Sequence, residues 1–220
     1  MSKCIFLKWK MRLNKGFTLV ELLMCIGIMM LMTTALLDNY PETSMRLNVN
    51  NTVHKVTALM REAQIRGSAV DSVSSSVGGY GMYFDRNTKE QVLLFADAID
   101  TSIERPYGLG VGNGLYDTIP ITEKKKSIIL LPGYSFKRIC VTNGTAYVCN
   151  HETALDIESL TISFSRPSSI AHIYVNGDSS VEYSSACIEV HSPKSPKSGH
   201  VRAVQFYHSS MVTTSGTTCN

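Results

Sequence analysis

Residues 17–37 form an apolar run broken by a single acid, Glu21. At ~1.5 Å per residue a helix over these 21 residues reaches ~31 Å, about the hydrocarbon thickness of a bilayer, so the segment can span a membrane. A carboxylate near one end of such a span is expensive unless a specific partner compensates it. Glu21 therefore calls for a functional reading before any other residue.

The flanks orient the span. Lys3, Lys8, Lys10, Arg12 and Lys15 precede it with no acid among them, and Asp38 and Glu42 follow it. By the positive-inside rule the N-terminus stays in the cytoplasm and the remainder lies outside. The five leader cations also account for the formal net charge of +3, because the remaining 204 residues hold 16 basic and 18 acidic side chains. That balance argues against a protein that coats nucleic acid by bulk charge, though it leaves room for a local basic patch. With 44% hydrophobic and 18% charged residues the chain is long enough for one folded domain plus an appendage.

Two ordinary explanations compete for the segment. A cleaved secretory signal has a basic start and an apolar core, and Thr33-Thr34-Ala35 offers a weak small-residue site. Against it stand Glu21 inside the core and a stretch longer than the usual signal. A plain uncleaved anchor leaves Glu21 equally unexplained.

The residues Lys15-Gly16-Phe17-Thr18-Leu19-Val20-Glu21-Leu22-Leu23 resemble the prepilin signal of type IV pilins and type II secretion pseudopilins. The resemblance implies cleavage after Gly16 by a prepilin peptidase that is also an N-methyltransferase. Phe17 then becomes the methylated first residue of the mature chain, and Glu21 the assembly glutamate. A physical argument supports the last role: the new amino group on Phe17 is a cation in lipid, and Glu21 of an adjacent subunit can pair with it, so unpaired ions drive docking into a filament. The two groups also lie about one helical turn apart in a single subunit, which keeps an intramolecular contact in competition. The implied partners are other pilin or pseudopilin subunits, an inner-membrane assembly platform and membrane lipid. The implied location is the cytoplasmic membrane, single-pass, with the head outside and then in a filament.

Past the membrane, Val49, Val53, Val56, Met60 and Ala63 recur at spacings of four and three, one helical face. Asn50, Asn51, Lys55, Arg61 and Glu62 occupy the other. The pattern predicts one helix from Phe17 to about Arg66, ~75 Å if unbroken, closing near Gly67 and kinked or loosened at Pro41. The expected segments are a leader over 1–16, a transmembrane half over 17–37, an amphipathic half over 38–66 and a β-rich head over 67–220.

In the head, residues 71–79 read as a linker. Residues 81–84 and 91–96 flank a turn and read as a hairpin. Asp85, Asn87 and Glu90 lack the glycine and spacing of a calcium loop, so turn chemistry is the better reading. Gly108, Gly110, Gly112 and Gly114 fall at every second position but do not make GxGxxG, and they read as a loop. Lys124-Lys125-Lys126 reads as a solvated turn ahead of a strand from Ser127 to Leu131. Further strands are expected over 160–164, 171–175, 186–191 and 201–207, with a turn at Asn176-Gly177 and an exposed basic loop over 192–200.

Four cysteines, Cys140, Cys149, Cys187 and Cys219, lie in the head, and their even number suggests two disulfides and an oxidising compartment. A two-residue loop at Gly144-Thr145 would set Cys140 opposite Cys149, whereas an Asn143-Gly144 turn would shift them out of register. Elimination then leaves Cys187 with Cys219. Four reduced thiols are the alternative; the absence of CxxC pairs argues against structural zinc.

The expected fold class is α+β, with a long N-terminal helix packed on a mostly antiparallel sheet. Within the pilin group, Arg61-Glu62-Ala63-Gln64 and Gly79-Tyr80-Gly81-Met82-Tyr83-Phe84-Asp85 resemble GspH/FimT-like minor pseudopilins. The cysteine pairs and the long middle loop depart from that pattern. The six histidines are dispersed, with no HExxH or GxSxG, so neither an enzyme, a metal site nor a cofactor is expected. The leading function is a structural, low-abundance filament subunit. The alternatives are a DNA-binding minor pilin of an uptake pilus, with Lys194, Lys197, His200 and Arg202 contacting phosphates, and a monomeric membrane-anchored envelope protein.

Overall fold

A computed structural model of the chain describes residues 16–69, 77–98, 112–117, 123–144, 146–150, 156–165, 169–193, 200–215 and 218–219. It separates into two compact units, Met1–Thr43 and Ser44–Asn220. The first contains the start of helix α1, which spans Leu19–Ser68 with Pro41 inside it. Pro41 thus lies within the helix, and the boundary between the units falls two residues beyond it.

The amphipathic stripe is buried as its periodicity predicts. Val49, Val53, Val56, Met60 and Ala63 are at most 2% exposed, Leu59 matches them, and Thr52 is buried beside them at 6%. Burying each of the larger apolar side chains contributes ~1.5–3 kcal/mol. The helix ends at Ser68, next to the expected stop at Gly67. Gly67 is a buried helical residue where α1 comes against the strand carrying Phe164, so close that an added Cβ would stand 2.6 Å from the Phe164 Cβ and 2.7 Å from its carbonyl oxygen.

The head holds ten strands: β1 Val77–Asp85, β2 Gln91–Ala98, β3 Lys124–Ile129, β4 Ser135–Thr142, β5 Val148–Cys149, β6 Ser159–Ser165, β7 Ala171–Val175, β8 Ser185–His191, β9 Val201–Tyr207 and β10 Val212–Ser215. They form two five-stranded sheets rather than one, in the orders β3-β2-β1-β6-β7 and β10-β9-β8-β4-β5. Every pairing is antiparallel. One core runs between the helix and the inner faces of both sheets, through Met82, Phe84, Leu94, Leu160, Ile162, Phe164, Ile173, Val141, Ile188, Val204 and Phe206. Phe84 of the first sheet meets Phe136 and Phe206 of the second at ring separations of 5.6 and 6.1 Å. This is an α+β, pilin-like architecture.

Three sequence expectations change here. The supposed linker gives up its last residues to β1, because Val77 and Gly79 already pair with β2. The three lysines are the start of β3, where Lys126 donates to the Glu62 carboxylate on α1 at 3.0 Å. The 192–200 loop is anchored at both ends: Ser192 and His200 are buried at 2% and 1% exposure. The Ser192 N–H donates to the His200 carbonyl, and the Ser192 hydroxyl meets His200 Nδ1, both at 3.0 Å, which continues the β8–β9 ladder beyond His191 and Val201.

Elsewhere the turn chemistry reads as expected. Asp85 Oδ1 accepts from the Asn87 N–H at 2.8 Å, an Asx turn closing the β1–β2 hairpin. Asn176 and Gly177 both hold positive φ, at 55° and 71°, as a type I′ turn requires.

Candidate functional site: the N-terminal segment and what the head presents

Gly16, Phe17 and Thr18 precede the helix and are exposed. Phe17 is 73% exposed. Thr18 is the helix cap. Its hydroxyl accepts from the Glu21 N–H at 3.3 Å, and its carbonyl accepts from the Leu22 N–H at 3.1 Å. The helix start has four N–H groups with no internal partner, and this hydroxyl satisfies one of them. Glu21 falls three residues after the cap, in the first turn, where the helix dipole favours a carboxylate. The Thr-x-x-Glu spacing is a helix-start signature that was readable in the sequence, and it gives Thr18 a role beside Gly16, Phe17 and Glu21.

Around and beyond Glu21 the apolar side chains lie open. Leu19, Leu22, Met29, Leu31 and Leu36 are exposed, and Cys25 is a free, exposed thiol. Helix α1 is long and apolar enough in this part to cross a membrane.

In the head, Cys140 and Cys149 are direct cross-strand neighbours and form a disulfide. The pairing follows the register of the two-residue loop. Cys187 is joined to Cys219 across 32 residues of sequence. Both bonds sit on the face of the second sheet that turns away from the core, with Ala203 and Tyr147 around them. The chain end is held again by Glu189, whose Oε1 accepts from the Cys219 N–H at 2.9 Å. Burial pushes the Glu189 carboxyl up, but donors from His191 and the Cys219 amide, with Arg138 alongside, bring it below its ordinary value.

The outer face of the first sheet is roofed by residues 112–117, which hang on two buried carboxylates. Asp97 accepts from the N–H groups of Asn113 and Gly114 at 3.1 and 2.8 Å. Glu123 accepts from those of Ala98 and Asp117 at 2.7 and 2.8 Å. Burial, with Asp97 and Asp117 adding like charge, pushes the Glu123 carboxyl up to about 7. Tyr116 in this roof packs on Tyr83 and Phe95. Among the described residues, no group of three or more His, Cys, Asp or Glu is arranged to hold a metal ion.

Of the residues proposed for phosphate contact, only His200 and Arg202 fall among the described residues. Lys194 and Lys197 lie outside the described residues. His200 is buried, and the Arg202 guanidinium donates to Asn50 Oδ1 on α1 at 2.9 Å.

An apolar helix long enough to cross a membrane, capped at its start and followed by an α+β head with two disulfides, defines a class of membrane-anchored proteins. Residues 11–37 match the family model described as the prokaryotic N-terminal methylation motif, the signature of type IV pilins and pseudopilins. The match covers this segment and marks the chain as a pilin- or pseudopilin-like processed subunit, implying a prepilin peptidase and fellow pilin subunits as its partners. No curated protein and no solved structure matches the chain.

Proposed function

We propose that the chain is a minor subunit of a type IV pilus or a type II secretion pseudopilus, of the GspH/FimT-like kind. Prepilin peptidase cuts after Gly16 and methylates Phe17. The mature protein sits in the cytoplasmic membrane with its N-terminus inward until an assembly platform moves it into a helical filament. The observation that carries the reading is Glu21, an acid in the first turn of α1 and the one charge in the apolar stretch over 17–37, four residues after the amine that cleavage would create. In lipid each charge is costly alone, and pairing across two subunits removes both costs together.

The test is the mass of the mature N-terminus. A methylated Phe17 is expected; an intact Met1, or a start after Ala35, overturns the reading. Gly16→Val should block cleavage. Glu21→Gln should be cleaved normally yet enter filaments poorly, and unimpaired incorporation would remove the charge-pair argument.

DNA uptake is the second reading, and its sharpest form now rests on Lys194 and Lys197, since Arg202 is engaged with Asn50. It predicts salt-dependent DNA binding that is lost when both lysines become alanine. No shift at low salt removes it.

A further inference from the structure

Strand alternation puts Ser163 and Ser165 of β6, and His172 and Tyr174 of β7, on the outer face of the first sheet, while Ile162, Phe164, Ala171 and Ile173 point into the core. Ser163 is the direct cross-strand partner of His172. These four side chains, with Gly112, Asn113 and Gly114 of the roof, line a cavity of about 50 Å³.

Two independent features mark this cavity. The first is a hydrogen-bonded relay. Ser165 Oγ lies 3.3 Å from His172 Nε2, and His172 Nδ1 lies 2.8 Å from Glu182 Oε1. The imidazole is held on both sides, stacked on Tyr174 at 11° and met edge-on by His208, whose Nδ1 is 3.4 Å from the same Glu182 oxygen. A carboxylate on Nδ1 fixes the tautomer that leaves Nε2 free to take a proton from the serine. The second feature is Ser163. Its residue is 2% exposed, and its hydroxyl is buried with no hydrogen-bond partner. An unsatisfied buried hydroxyl is costly, and a ligand accepting its hydrogen bond would remove that cost.

We propose that Ser165, His172 and Glu182 form an acyl-transfer site on the head that hydrolyses small carboxylic esters. Ser165 Oγ attacks the ester carbonyl carbon while its proton passes to His172 Nε2. The carbonyl electron pair moves onto oxygen, and the Ser163 hydroxyl donates to that oxyanion. As the oxyanion collapses, the C–O bond to the leaving alcohol breaks and the alcohol takes the proton from His172. Water then attacks acyl-Ser165, giving its proton to the same nitrogen, and the carboxylic acid departs as Ser165 recovers its hydrogen. Ser165 and His172 touch the reacting atoms; Glu182 is a positioning residue. One water needs about 15 Å³ by a comparable measure, so the cavity fits roughly three heavy atoms, the size of an acetyl group.

The full chain in detergent should be labelled once per molecule by a fluorophosphonate, at Ser165 by peptide mass. It should release p-nitrophenol from p-nitrophenyl acetate at least ~10-fold faster than from the hexanoate. Ser165→Ala should abolish labelling, and His172→Gln should lower kcat by ~10²–10⁴-fold. Ser163→Ala should lower kcat by ~10²-fold with little change in KM. Glu182→Gln should lower kcat with little change in KM, because the carboxylate no longer holds the His172 tautomer that leaves Nε2 free. Labelling of the parent chain at residues other than Ser165, or a parent rate no higher than that of the urea-unfolded chain, overturns the proposal whether or not the variants fold.

Discussion

Substituting Gly67 by alanine sets two effects of opposite sign against each other. Gly67 is helical, and its φ lies outside the positive range, so alanine fits the backbone and should gain ~1 kcal/mol of helix propensity. The new Cβ, however, would lie 2.6 Å from the Phe164 Cβ and 2.7 Å from the Phe164 carbonyl oxygen. Neither atom is the free end of a side chain: the oxygen belongs to β6, which is hydrogen-bonded on both sides by β1 and β7. Overpacking of a fitted interior costs ~1–3 kcal/mol, and two rigid contacts place this site at the upper end. The net expectation is a loss of ~2 kcal/mol, a fall in Tm of about 4–8 °C for a head of this size. Thermal unfolding of the full chain in detergent, followed by far-UV circular dichroism at a β-sheet wavelength, measures it. Exposed Ala58→Gly on the same helix isolates the propensity term and should lose ~1 kcal/mol. A Gly67→Ala protein as stable as the parent, or more so, would refute the close-approach argument and restore Gly67 as a mere helix stop.

Stability should also depend on pH through Glu123. Its carboxyl is raised to about 7 in the folded head against an ordinary unfolded value, so the folded state holds the proton more tightly; stability is highest near pH 4–5 and falls as pH rises to about 7, by ~3 kcal/mol at most. Urea midpoints across that range should flatten in Glu123→Gln, and an unchanged slope would assign the dependence elsewhere. Thr18→Val should leave the Glu21 amide without its acceptor and speed its hydrogen exchange about fivefold, equivalent to a cap of ~1 kcal/mol. Cys219→Ser, which opens a 32-residue span, should cost more in urea than Cys149→Ser, which opens one of nine: ~3.5 against ~2.5 kcal/mol on loop entropy alone. The reverse order would point to native contacts such as the Glu189–Cys219 hydrogen bond being worth less than assumed.

What the sequence disclosed follows the range of the forces involved. The membrane segment and the stripe from Val49 to Ala63 are written in local periodicity, and they are legible; the strands at 171–175 and 201–207 are legible from their composition although their alternation is imperfect. Asn176-Gly177 is legible because only a few residues tolerate positive φ. The Cys140–Cys149 register could be counted outward from a turn. The division into two sheets could not, because β4 lies between β5 and β8 and β1 between β2 and β6, pairings set by contacts far apart in the chain. Alternation fades for the same reason: Phe95 and Cys187, on outer faces, are as buried as Phe84 on an inner one, since the 112–117 roof and the C-terminus cover those faces. The lysines at 124–126 look like a turn in isolation, yet one of them answers Glu62, sixty-four residues away. At the N-terminus, Thr18 was hidden in plain view by the stronger signal of Gly16 and Glu21.

The disulfides carry one more consequence. Cys140 stands in the sheet between two other cysteines, facing Cys149 on one side and Cys187 on the other. A wrong bond to Cys187 is therefore within easy reach and would strand Cys149 with Cys219. On the topology proposed above, a chain threaded across the membrane from its N-terminal end would deliver Cys140 and Cys149 to the oxidant while Cys187 is still to come. The order of arrival can thus select the right isomer, and a chain refolded from its fully reduced, full-length state forgoes that guidance and should scramble before it settles.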